Sequence, residues 1–183
     1  EPGMDALPPP ATSFPTSMAL TASRSVKYCY DLAFAMALEL RSVGINMNLA
    51  PEANINQNAN DPRSIYTFGE DPVLVGKLSS MYVRGLQHGG VSAVAKFFPA
   101  CADPGLDSRG KAATSHPLER LLAVDLKPFS ECIRVGVDAI LLGNTEVPDV
   151  DPAKASALSP RAGTGRLRNR LGFRGLAIAD LRD

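Results

Sequence analysis

The sequence predicts an α/β fold built on a parallel sheet with both faces covered, and three observations carry that prediction. Short apolar runs stop on charged residues: residues 91–95 lead into Lys96, and residues 175–179 lead into Asp180. The stretches between such runs repeat apolar residues at three and four positions, the spacing of amphipathic helices. Glycine, proline or asparagine closes most segments. Strands separated by amphipathic helices pair in parallel beneath covering layers. The alternation fits a closed barrel or an open doubly wound sheet, and composition does not choose between them. Charges placed where buried strands stop are how an α/β barrel builds a site, which makes Lys96 and Asp180 the first candidates.

Taken in order, the proline-rich residues 2–15 read as a loop. Residues 14–20 read as a short strand with Met18 and Leu20 pointing inward. A helix follows from near Ser23, with Val26, Tyr30, Ala33, Phe34, Ala37, Leu38 and Arg41 on one stripe and Gly44 as its stop. Residues 45–50 read as a strand ending at Pro51. The loop beyond it crowds Asn54, Asn56, Gln57, Asn58 and Asn60 together, and reads equally as a site lip or a surface excursion. Asp71 before Pro72 is a cap with proline at the first helical position. Val73, Leu74, Leu78, Met81, Tyr82 and Leu86 continue that helix to Gly89 and Gly90.

After strand 91–95, a long loop carries Asp103 and Asp107 to His116, which reads as solvent-facing before a helix. That helix takes Leu122, Leu126, Phe129, Ile133 and Val135 on its apolar side and is interrupted near Pro128. Residues 138–142 form a buried strand. Ser159 and Pro160 cap a further helix through Leu167 and Leu171 to Gly172, and residues 175–179 form the last strand. Gly163-Thr164-Gly165 lacks the lysine of a phosphate loop and reads as a distorted helix start. Arg161, Arg166, Arg168, Arg170 and Arg174 read as the wet face of that helix.

With 183 residues the chain fits one domain, shorter than the roughly 250 residues of a full eight-stranded barrel. Lysine plus arginine and aspartate plus glutamate balance at 19 each, so no net field points to nucleic acid. No run approaches the roughly 20 apolar residues of a membrane span. Cys29, Cys101 and Cys132 follow no ligand spacing and have only His88 and His116 beside them, so neither a metal site nor another cofactor is expected. A reduced cytoplasmic setting is the plainer expectation. Secretion stays open, because the chain starts without methionine, as a sequence missing an upstream signal would.

Several stretches together resemble the N-terminal barrel domain of glycoside hydrolase family 3, nearest its β-N-acetylhexosaminidase branch. They are residues 39–51, 68–72 (Phe-Gly-Glu-Asp-Pro), 84–87 and 91–99, then 126–129 (Leu-Lys-Pro-Phe), 136–139 and 168–175, ending at Asp180. The resemblance implies a partial TIM-type (β/α) barrel over residues 1–183, lacking at least the first and last strands. A barrel short of strands has open edges, so self-association or contact with further sequence is expected.

The resemblance also implies retaining cleavage of β-linked N-acetylglucosaminides, with carbohydrate as the partner. Asp180 matches the nucleophile, and Lys96 matches a sugar-binding lysine. The family stretch Lys-His-Phe-Pro-Gly-His-Gly reads here with Phe97 and Cys101 in place of its two histidines. Its Asp-Ser-His acid/base element reads Asp107-Ser108-Arg109. Arginine stays protonated and cannot trade a proton with a leaving group. Asn54, Tyr66 and Asn144 stand where the branch has a strand-end aspartate, a substrate-binding arginine and a histidine. His116, Asp103 or Asp107 would have to supply any acid. The alternative is an inactive barrel remnant that binds carbohydrate or protein.

Overall fold

Among the described residues four parallel strands carry the fold: β1 (Met47–Asn48), β2 (Ser92–Phe98), β3 (Ala139–Leu142) and β4 (Leu176–Ala179), paired in that order. They belong to a computed structural model that describes residues 11–57, 62–100, 113–152 and 154–180. Each described strand pairs with the next in sequence and the order never reverses. A doubly wound sheet reverses at a switch point. The advancing order is that of a barrel wall, which resolves the choice that composition leaves open.

Helices α1 (Ser17–Ala22), α2 (Val26–Ser42), α3 (Pro72–His88), α4 (Leu118–Arg120) and α5 (Lys127–Arg134) accompany the sheet. The expected strand at 14–20 is instead loop running into α1. The Thr16 hydroxyl accepts from the Ala19 amide and caps a helix there, and Met18 turns outward while Leu20 is buried. In α2 the buried stripe is Cys29, Ala33, Met36, Ala37 and Leu40, and Leu38 of the expected stripe is exposed. The reason lies in α3. A Cβ on Gly85 would sit 2.5 Å from the Tyr30 carbonyl oxygen and 2.7 Å from Ala33 Cβ, so the two backbones approach along small residues. Tyr30 and Phe34 stack to the side of that contact.

Other expectations stand. Gly44 has φ +84°, a left-handed stop that glycine adopts without cost. Asp71 caps α3, its carboxylate accepting from the Val73 amide at 2.9 Å. The helix expected after Pro117 is α4 followed by a wide turn at Leu121–Asp125, and it restarts at α5 with Pro128 in the first turn. Residues Arg161–Arg170 form a wide-turned helix, as the glycine pair inside it suggests. Arg168 departs from the wet face: it donates to the Phe173 and Gly175 carbonyls, its guanidinium 5.1 Å from the Phe173 ring centroid.

The main core lies between sheet and helices, where Met36, Phe68, Leu78, Phe98, Phe129, Ile140 and Leu167 are all essentially inaccessible. Val94, Ala139 and Leu141 bury against Leu49, Phe97 and Ile178 on the other face. β4 is the least covered strand, with Leu176 54% exposed. Cys29 and Cys132 are free, buried thiols, and burial pushes Cys29 up to about 12 and Cys132 upward as well. No helix among the described residues is long and apolar enough to cross a membrane.

Candidate active site

Parallel strands bring their carboxyl ends to one edge of the sheet, and there the chain after β1 keeps following β2. The Ser92 amide donates to the Asn46 carbonyl, Val94 to Ala50 and Lys96 to Pro51, and the Ala53 amide returns a bond to the Lys96 carbonyl at 2.6 Å. Asn54 finishes the ladder with its side chain. Its Oδ1 accepts from the Phe97 amide at 2.6 Å and its Nδ2 donates to the Phe97 carbonyl at 2.9 Å. An aspartate could make only the first of these bonds, because an ionised carboxylate has no donor. Asparagine here completes a backbone-like pair.

That ladder fixes Lys96. β2 runs on to Phe98, beyond the expected end at residue 95, so Lys96 sits within the strand rather than after it. It lies on the same face as Val94, two residues earlier, and is 2% exposed, its Nζ 5.2 Å from the Phe97 ring centroid. The β2–β3 register shifts between Ala95 and Phe98. Val94 and Phe97 therefore join the inner cluster, while Phe98 turns to the helix-side core and meets Phe129 edge-on at 5.3 Å.

Asp180 lies at the carboxyl end of β4, its amide donating to the Leu142 carbonyl at 2.9 Å, and is half-buried. Asn144 stands two residues past β3 and is exposed, and Tyr66 ends the short turn Pro62–Tyr66, half-buried. Cys101, Asp103, Asp107 and Arg109 lie outside the described residues, as do Asn58 and Asn60.

His116 corrects the expectation of a solvent-facing ring. Its side chain is 8% exposed and its Nδ1 lies 3.0 Å from Oδ2 of Asp125, itself 4% exposed. Against an ionised Asp125, which can only accept, the ring donates from Nδ1. Asp125 Oδ1 also accepts from Gln57 Nε2 at 3.4 Å, and Gln57 Oε1 accepts from Arg120 Nη2 at 3.1 Å. Arg120 Nε lies 3.9 Å from Asp125 Oδ2. Asp125 was legible in principle: it sits between Leu121 and Phe129 at intervals of four, a charge inside a buried stripe.

Two further carboxylates were also missed. Glu52 follows Pro51 at the strand end and forms a parallel bridge with Lys96, and it is 7% exposed. Glu146, four residues past β3, bridges Ala113 and Ala155 and is 2% exposed. Their signal was the same one that singled out Asp180, a charge just past an apolar run.

The chain matches the family described as "Glycosyl hydrolase family 3 N terminal domain" over residues 2–182. It is 30% identical over 190 residues to "Beta-hexosaminidase A" of Pseudoalteromonas piscicida, covering 94% of this chain and 32% of that protein. It is 34% identical over 149 residues to a "Beta-hexosaminidase" of Stenotrophomonas maltophilia (strain R551-3), covering 81% of this chain and 44% of that one. The chain thus spans less than half the length of these relatives. Its fold superimposes on a glycoside hydrolase family 3 beta-N-acetylglucosaminidase from Paenibacillus sp. str. FPU-7 with TM-score 0.90 and 35% identity, over 98% of this chain and 35% of that one. The beta-N-acetylglucosaminidase from Thermotoga maritima matches with TM-score 0.84 and 25% identity, over 98% of this chain and 38% of that one.

Proposed function

Because the chain belongs to glycoside hydrolase family 3, we propose that it acts on β-linked N-acetylglucosaminides through Asp180 and cleaves only those whose leaving groups depart without protonation. Its four described strands form part of that domain's (β/α) barrel. The observation that carries the proposal is the place of Asp180. A carboxylate just past the end of β4, tied by its amide to β3, shares the carboxyl edge with buried Lys96.

In the proposed first step an Asp180 oxygen bonds to the anomeric carbon as the bond from that carbon to the aglycone oxygen breaks, and the electron pair leaves with the aglycone. The negative carboxylate also offsets the positive charge that develops on the sugar. Water then displaces Asp180 at the same carbon and loses a proton, giving net retention. Both steps want a group that gives and then takes a proton, and Arg109 can do neither. The names of the relatives support the N-acetylglucosaminide class. A second reading, carbohydrate or protein binding without turnover, is favoured by Arg109, Phe97 and Cys101 replacing the family's imidazoles.

Incubation with a fluorinated N-acetylglucosaminide bearing an activated leaving group is expected to add one glycosyl mass to the peptide that contains Asp180. The Asp180→Asn protein should stay unlabelled with its circular dichroism unchanged. Labelling at another residue would overturn the assignment, and saturable binding with no labelling would establish the second reading.

A further inference from the structure

We propose that His116 and Asp125 are positioning residues for the strand-end site: their bond holds the loop after β1 where Asn54 can fix the backbone of Phe97 and, with it, Lys96. The functional consequence rests on Lys96 as a saccharide contact, whereas the mechanical link is independent of it.

Both members of the pair are anchored to different parts of the barrel. His116 hangs from the chain leaving β3, since the Thr114 amide donates to the Glu146 carbonyl at 3.0 Å and the His116 amide to Thr114 Oγ1 at 3.3 Å. Two residues on, the Leu118 amide donates to Asp149 Oδ2 at 2.9 Å. Asp125 hangs from the helix layer through Leu121 and Phe129, both fully buried. Gln57 then reaches across from the loop after β1 to touch both Asp125 and Arg120. Its neighbour Asn56 is bound through its amide to the Gly69 carbonyl at 2.8 Å, and three residues before Gln57 stands Asn54, clamped on Phe97.

A local role, closing the wide turn at Leu121–Asp125, would need only His116 and Asp125. The Gln57 bonds extend the network to the segment that laces β2. Geometry held this way matters, because an interacting group displaced by about 1 Å can cost about 10²-fold in rate.

The test is amide hydrogen exchange by NMR on the ligand-free chain, read at Ala53 and Phe97. Gln57→Leu, a change at an exposed residue, and His116→Leu are each expected to speed exchange at both amides by about tenfold. Val83 and Leu40, in the α2–α3 core, should keep their rates. His116→Asn should restore slow exchange, because its amide can donate from the position of Nδ1, whereas His116→Gln should not. Unchanged rates at Ala53 and Phe97 in Gln57→Leu would overturn the proposal, even if His116→Leu unfolds. Affinity for N-acetylglucosamine should fall in the same variants. Faster exchange in a chain that never binds the sugar would leave the link standing and remove Lys96 as a saccharide contact.

Discussion

Exchanging Arg109 for His is expected to raise hydrolysis of N-acetylglucosaminides with poor leaving groups by about 10²-fold, the low end of what a positioned proton donor contributes. The gain belongs in kcat, since the new imidazole acts on the leaving oxygen in the transition state rather than on substrate binding. Asp107, two residues earlier, would serve as its carboxylate partner. The gain stays at the low end because Phe97 and Cys101 still offer no imidazole to the sugar, so the substrate remains loosely held. Rates on a disaccharide and on a nitrophenyl glycoside, measured for both proteins, check it. An equal rise on both substrates would mean that the change acts on binding and not on proton transfer.

Replacing Phe98 with Ala is expected to cost about 3–5 kcal/mol of stability, the range for emptying a fully buried aromatic site. Phe98 is inaccessible and meets Phe129 edge-on, joining β2 to α5 directly behind the strand end that carries Lys96. The site cannot close over the lost ring from either side. Phe129 is fixed in α5, and the Phe98 carbonyl is held by the Gly143 amide at 2.9 Å. A urea melt should show the midpoint falling with little change in slope, and Tm should drop by on the order of 10 °C. A loss below about 1 kcal/mol would show that this contact collapses without a cavity.

The sheet was legible because its strands are apolar runs bounded by turn residues, and the helices because their periodicity is strong. Residues 14–20 misled because apolar residues alternate there, while the deciding feature was one capping hydroxyl on Thr16. The rotation of the α2 stripe depended on Gly85 of α3, a contact that periodicity within α2 cannot reveal. At the site, Lys96 and Asp180 were visible as charges at the ends of apolar runs. Asn54 looked like a lost charge, and its double bond to Phe97 becomes visible only when the loop after β1 is laid along β2. His116 looked exposed because it precedes Pro117 and a helix start, and its partner lies nine residues on in the buried stripe.

Under the proposed function this barrel carries a nucleophile, Asp180, and an arginine, Arg109, where a proton donor would stand. A comparison of the unaltered chain on two N-acetylglucosaminides, one with a nitrophenolate leaving group and one a disaccharide, decides the matter. The expected result is a release of about one equivalent of nitrophenol per chain followed by slow turnover, abolished by Asp180→Asn, with no measurable cleavage of the disaccharide. Robust hydrolysis of the disaccharide would contradict it and require another acid, with His116 or Asp107 the first to be replaced.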